Sequence, residues 1–263
     1  MIKDGVVDDF PWLQFTGLKD YFTDHHLLYH IFLIPFIILF GTLFGAKIAS
    51  VSFAALLVAV VYWFLRSFKI RGALIYILIL LSTYPFLFRI NLAKSGVLAI
   101  IILVLALYVL FKNKPIWLFA LSFLYVWTHG SWPVVLGLVV FYCFSSFLVN
   151  RKLNLRLFFY CLLGLVAGLI INPYFPDNLI FYWLQTVKIG FLNYQSQISV
   201  GAEWYAPTFN ELFTGASLVF VLFFVALVGF VFSATKTKHL ELRNTSKDVI
   251  PAKAGIHIVR ILT

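Results

Sequence analysis

Seven blocks of almost uninterrupted apolar residues divide this sequence: Ile48–Leu65, Ala73–Phe88, Gly96–Phe111, Ile116–Trp127, Val134–Val149, Leu157–Ile171 and Ala216–Ala234. Most are long enough, and poor enough in charge, to cross or nearly cross the hydrocarbon of a bilayer. Lipid offers no hydrogen bonds, so such segments have to be helices. The expected fold is therefore all-α: a polytopic membrane protein with about seven transmembrane helices and further helices at the outer interface. Composition agrees, with 62% hydrophobic and 11% charged residues, well beyond the apolar share of soluble domains. No polar stretch is long enough to build a second core.

Basic clusters orient these blocks. Arg66, Lys69 and Arg71 form the first, Lys112 and Lys114 the second, Arg151, Lys152 and Arg156 the third, and Lys236 and Lys238 the fourth. Two predicted helices separate each pair of neighbouring clusters, so all four can lie on the cytoplasmic side. Asp4, Asp8, Asp9, Asp20, Asp24, Asp177, Glu203 and Glu211 then share the outer face. The net charge of +10 is spread over these short clusters, so it does not indicate a nucleic-acid partner. Cys143 and Cys161 sit inside apolar blocks as small hydrophobes.

This parity has a consequence for Leu27–Phe44, which is apolar but must not span if the N-terminal acids are to stay outside. Pro35, Gly41 and Gly45 suit a broken or shallow segment at the outer interface; a true span with an inside N-terminus is the alternative. The expected organisation is an outer-face loop with an interfacial helix over 1–47, a six-span core over 48–171 and an outer loop over 172–215. A last span over 216–234 and a cytoplasmic tail over 235–263 complete it. Within the tail, "VIPAKAGIH" looks like a dispersed bacterial intergenic repeat read through as coding sequence.

The stretch "TDHHLLYH" gathers one aspartate and three histidines into eight residues. On a helix His26 and His30 share a face, a spacing that can hold a metal ion. Asp24 can orient a histidine, ligate the same ion or act as a base. A helix start with histidines at the wet edge of the bilayer accounts for the same residues. Glu203, beside Trp204 and Tyr205, is a carboxylate among aromatic rings, suited to acid–base work or to a solvated loop. Arg89 and Lys94 can clamp a phosphate or snorkel to headgroups. His129 marks a turn and reads as structural, and Asp8 and Asp9 as a solvated loop. No phosphate-cradling glycine loop, nucleophile elbow or cysteine metal motif occurs.

"FPWLQFT" at Phe10–Thr16, "DHHLLYHIFLIPF" at Asp24–Phe36, "INPYFPDN" at Ile171–Asn178 and "GAEWYAP" at Gly201–Pro207 resemble the bacterial multi-span glycosyltransferases of the GT-C superfamily. The resemblance runs from about Met1 to Ala234. It implies a membrane transferase of the cell envelope, in the cytoplasmic (inner) membrane of a bacterium, whose partners are membrane lipids and a polyprenyl-phosphate-linked sugar. It implies Asp24 and Glu203 as catalytic carboxylates in two outer loops. Arg89, Lys94 and Tyr205 would bind substrate, and His26 and His30 would hold a divalent ion such as Mg or Mn. Such proteins normally begin with a span and an Asp-x-Asp motif, whereas here Met1 opens in the loop. A fragment of a longer enzyme is the expectation. A non-catalytic transporter or lipid-handling protein, or an inactive remnant, is the competing one.

Overall fold

The computed structural model describes residues 5–7, 21–151, 154–192, 205 and 208–248. Among these the chain is all-helical, with no strand. It divides into two compact units, Met1–Pro207 and Thr208–Thr263. In the first, α1 (Leu27–Phe40) and α2 (Thr42–Ser67) are followed by α3 (Ala73–Leu81), α4 (Tyr84–Ile90) and α5 (Gly96–Phe111). Then come α6 (Pro115–Thr128), α7 (Pro133–Asn150), α8 (Leu155–Ile170), α9 (Asp177–Tyr182) and a π-helical stretch, Trp183–Phe191. The second unit is α10 (Phe209–Asp248), interrupted at Ala216, whose φ of −140° and ψ of 31° are not helical. Thr208 and Glu211 cap it reciprocally: Glu211 Oε2 accepts from the Thr208 N–H at 2.7 Å, and the Glu211 N–H donates to Thr208 Oγ1 at 3.3 Å.

Two apolar blocks take shapes that continuous spans would not have. The first is Leu27–Phe44. Its helix α1 ends at Gly41, where a φ of 76° favours the residue without a Cβ. The chain then turns back, so that α1 packs against α2. A Cβ on Gly45 would meet the Phe36 carbonyl, and Tyr29 and Phe36 both lie 5.9 Å (ring centroids) from Phe53. The helix beginning at Thr42 consequently runs six residues before the expected Ile48. The second is Ala73–Phe88, expected as one span. It divides into α3 and α4, bent by 85°. Pro85 explains the break: it has no N–H to donate to the Leu81 carbonyl, against which its ring would clash in a continuous helix, and it sits in the first turn of α4, behind an extended Thr83.

Helices α5 to α8 alternate in direction. The closest packing is α6 against α8, where Gly164 and Gly168 form a small-xxx-small pattern. A Cβ on Gly164 would meet the Phe119 carbonyl, and one on Gly168 would lie 3.0 Å from Val126 Cβ. Trp127 Nε1 donates to the Gly168 carbonyl at 2.9 Å. Leu57, Leu110, Leu118, Val126, Val139, Leu157 and Leu165 form the buried centre. Both cysteines are buried as expected, and Cys161 Sγ accepts from Ser122.

The outward faces are equally apolar. Val51, Leu74, Ile75, Leu78, Phe141 and Leu163 are each more than half exposed, an apolar surface far beyond that of soluble monomers. Among the described residues one helix, α2, is long and apolar enough to cross a membrane, and α3 with α4 passes that test as a bent pair. The other apolar helices are shorter, α5, α6 and α8 having 16, 14 and 16 residues.

At the end of the bundle where α2, α5 and α7 finish, the chain turns through left-handed residues that are not glycine: Lys69 (φ 57°), Asn113 (φ 51°) and Arg151 (φ 54°). Lys69 and Asn113 occupy the position that usually takes glycine in paired i−3 and i−5 terminations. There the Lys69 N–H donates to Arg66 O and that of Ile70 to Leu65 O, while those of Asn113 and Lys114 reach Leu110 O and Val109 O. A Cβ in this conformation costs roughly 1–2 kcal/mol, least for Asn.

Candidate functional site

The opposite end of the bundle holds a cavity of about 780 Å³. Four pieces of chain bring polar side chains to it: the entry to α1, the turn from α4 to α5, the turn from α6 to α7, and the π-helical stretch.

The entry to α1 is organised by Asp24. Its Oδ1 accepts from the His26 N–H at 3.0 Å, tying the carboxylate to the first turn. Its Oδ2 accepts from His30 Nδ1 at 2.6 Å. Asp24 is 8% exposed, whereas the His30 side chain is 43% exposed and lines the cavity. Burial pushes the Asp24 pKa up, but the hydrogen bond and charge of His30, with the His26 N–H, outweigh it and hold it below the usual value. The carboxylate thus stands behind the histidine, and with Nδ1 engaged the atom that His30 has left for a ligand is Nε2.

His26, one turn before His30, sits with Nδ1 2.8 Å from the Ser95 hydroxyl and 3.2 Å from the Thr128 carbonyl oxygen. Ser95 is the residue before α5, yet it makes no cap to its own helix. His25 stacks on Phe181 at 4.6 Å and lies 3.8 Å from the His26 ring. Burial, then the charge that His26 would carry, lowers His25 to about 4. Burial, then His129, lowers His26 to about 4. His129 is lowered as well, by burial first and His25 second. All three rings are neutral at pH 7. His129 Nδ1 accepts from the Ser131 N–H at 3.0 Å and lies 2.8 Å from Ser131 Oγ, which puts the His129 proton on Nε2.

Arg89, in the last turn of α4, and Lys94, in the turn before α5, supply the cationic wall. Facing the α6–α7 turn is Gln185, from the π-helical stretch, an element often found at functional sites. Its Oε1 is buried with no hydrogen-bond partner among the described residues. Gly130 lies so close that a Cβ there would strike this carboxamide.

The cavity therefore unites His26, His30, Arg89 and Lys94, with Asp24 behind them. Tyr205 is half-exposed and does not line it. Glu203, Asp8 and Asp9 lie outside the described residues. Ser95, Ser131 and Gln185 were not singled out by sequence reasoning, and His129 reads there only as a turn residue. A serine before an apolar helix ordinarily signals a cap, and nothing local distinguishes Gln185.

For a metal ion the donors fit poorly. The His26 and His30 rings stand edge to face 6.4 Å apart, and their Nδ1 atoms are already engaged. Among the described residues, no group of three or more His, Cys, Asp or Glu side chains is arranged to hold one. Comparison with family models, curated proteins and solved structures finds no match for this chain.

Proposed function

We propose that this chain is a multi-pass protein of a bacterial inner membrane. In this reading it belongs to a glycosyltransferase of GT-C type that moves a sugar from a polyprenyl phosphate to a hydroxyl acceptor at the outer face. The observation that carries the reading is the joining, in one cavity, of a carboxylate-backed histidine and two cations, one from α4 and one from the turn before α5. Apolar outward faces support the membrane part: with α3 and α4 as one bent span and α10 included, seven apolar passes are available.

His30 Nε2 takes the proton of the acceptor hydroxyl while Asp24 holds the ring by Nδ1 and stabilises the imidazolium that forms. The acceptor oxygen bonds to the anomeric carbon as the bond from that carbon to the phosphate oxygen breaks, inverting the centre. The electron pair leaves on polyprenyl phosphate, whose charge Arg89 and Lys94 meet, the former with a planar fork and the latter with a point charge. The Ser131 hydroxyl, in the cavity lining, would meet a hydroxyl of the sugar. The chain's own cations carry the leaving group, so transfer is expected to survive EDTA.

The test uses the full chain in proteoliposomes loaded with a radiolabelled polyprenyl-phosphate sugar. Wild type is expected to transfer label, and His30→Ala to lose roughly 10²–10⁴ in rate, as removal of a general base does, without loss of protein from the membrane. Equal transfer by His30→Ala and wild type would remove the proposed mechanism. Binding of polyprenyl phosphate that depends on Arg89 and Lys94, with no turnover, would instead make the chain a lipid-handling protein or remnant.

A further inference from the structure

The end of the bundle away from the cavity carries charge that sugar transfer does not use. Three turns meet there, those from α2 to α3, α5 to α6 and α7 to α8. Phe68 packs edge-on against Phe111 at 5.8 Å, and the Lys112 ammonium lies 5.0 Å above the Phe68 ring. Asn154 Nδ2 donates to Asn113 Oδ1 at 3.0 Å, joining the second turn to the third. The turns thus form one continuous rim.

Arg66, Lys69, Arg71, Lys112, Lys114 and Arg151 are all exposed on it. The sequence has no acidic residue between Asp24 and Asp177 to neutralise them. Among the described residues none of these cations has an ion-pair partner. Lys69 and Arg151 also occupy left-handed positions where glycine would relieve the backbone. A structural role alone therefore favours glycine, and what the basic side chains add is charge. The helix dipole accounts for a cation in the last turn of a helix. It does not account for Arg71 and Lys114, which lie beyond the ends of α2 and α5.

We infer that this rim binds the phosphodiester headgroups of anionic lipids in the leaflet it faces. The inference rests on the membrane part of the proposed function and not on glycosyl transfer, so either can fail without the other. Electrostatic attraction of this kind is short-ranged and weakened by salt.

The experiment measures the thermal midpoint of the full chain in nanodiscs of phosphatidylcholine and of phosphatidylcholine mixed equally with phosphatidylglycerol. Phosphatidylglycerol is expected to raise the midpoint of wild type, and added salt to reduce the rise. In Lys69→Gly/Arg151→Gly the rise should fall by at least half, while stability in phosphatidylcholine alone is unchanged or improved. Asn113→Gly, which alters the same kind of turn without removing charge, should keep the full rise. Should the double glycine variant not fold, Arg71→Gln with Lys114→Gln removes charge without touching a left-handed residue and should also halve the rise. A full rise in the charge-depleted variants overturns the inference, as does no rise in wild type. An equal loss of stability in both lipids would reduce the cations to helix caps and overturn it too.

Discussion

At the residue scale, crowded imidazoles dominate the site. His25 and His26 titrate near 4 in the folded chain, against about 6.5 when exposed. Between these values the unfolded chain binds more protons, so stability rises with pH; it is complete above about 6.5 and drains away as pH falls toward 4. At most roughly 3 kcal/mol per ring is at stake, and less than twice that for both, because each shift includes repulsion between neighbours. His25→Phe keeps the stack on Phe181 and removes one titrating group. It is expected to lose less of its thermal midpoint between pH 7 and pH 5 than wild type does. An identical acid sensitivity would mean that His25 is charged in the folded chain. Asp24 calls for a different measurement, since Asp24→Asn keeps the shape but weakens the hold on His30. A hydrogen bond to a charged group is worth about 1.5–3 kcal/mol, at the lower end here because His30 is partly exposed. A modest loss of stability with a large loss of transfer is the expected outcome, read by unfolding and turnover on the same preparation. Asp24 was legible in the sequence as a carboxylate able to orient a histidine, but its pairing with His30 was not. Nor was their order, because which of the two faces the cavity depends on how α1 folds back against α2.

At the element scale, the interface that sets the site is α6 against α8. The end of α6 delivers Thr128 and His129, and Gly164 and Gly168 let α8 approach it. Gly164→Ala introduces a methyl where the Phe119 carbonyl lies, and a backbone atom cannot swing aside as a side-chain tip can. Overpacking of this kind costs about 1–3 kcal/mol, and the displaced α6 should weaken transfer as well. A Gly164→Ala protein with wild-type unfolding would mean that the helices are not in this contact. Most helices were readable as apolar blocks because each block is bounded by charge or by proline. A break near Gly41 was readable from its glycines, but the fold of α1 back onto α2 and the bend before Pro85 were not. Apolar content is continuous across both, and only backbone geometry at single residues interrupts the helix. The shared cavity was hidden for a related reason: Arg89 and Lys94 stand far from His26 in sequence, and it is the bend of α4 and the turn after it that carry them to the same end of the bundle.

For the whole molecule, the question is which way the bundle faces. Asp24 and Asp177 belong to segments at the cavity end, where Phe181 stacks on His25 and Tyr182 donates to the Val126 carbonyl. Lys69, Lys114 and Arg151 turn at the other end. This separation is what the charge pattern of the sequence anticipates. Helices α5, α6 and α8 have 16, 14 and 16 residues, so at about 1.5 Å per residue they are roughly 21–24 Å long, short of the ~30 Å of hydrocarbon. In the proposed orientation, with the basic rim at the cytoplasmic headgroups, the shortfall would fall at the cavity end and bring the cavity mouth to the level of the outer headgroups. A lipid phosphate can then reach Arg89 and Lys94 from the side. The native cysteines make orientation easy to read, because Cys143 and Cys161 are both buried and an introduced thiol stands out against them. Asn91→Cys, at the exposed turn beside the cavity, is expected to react with a membrane-impermeant maleimide in intact cells. Asn113→Cys, on the basic rim, is expected to react only after the cells are opened. The reverse pattern would turn the cavity to the cytoplasm, where an outer-face transferase has no place. Labelling of both from one side would break the up-and-down passage of α5 on which the membrane reading depends.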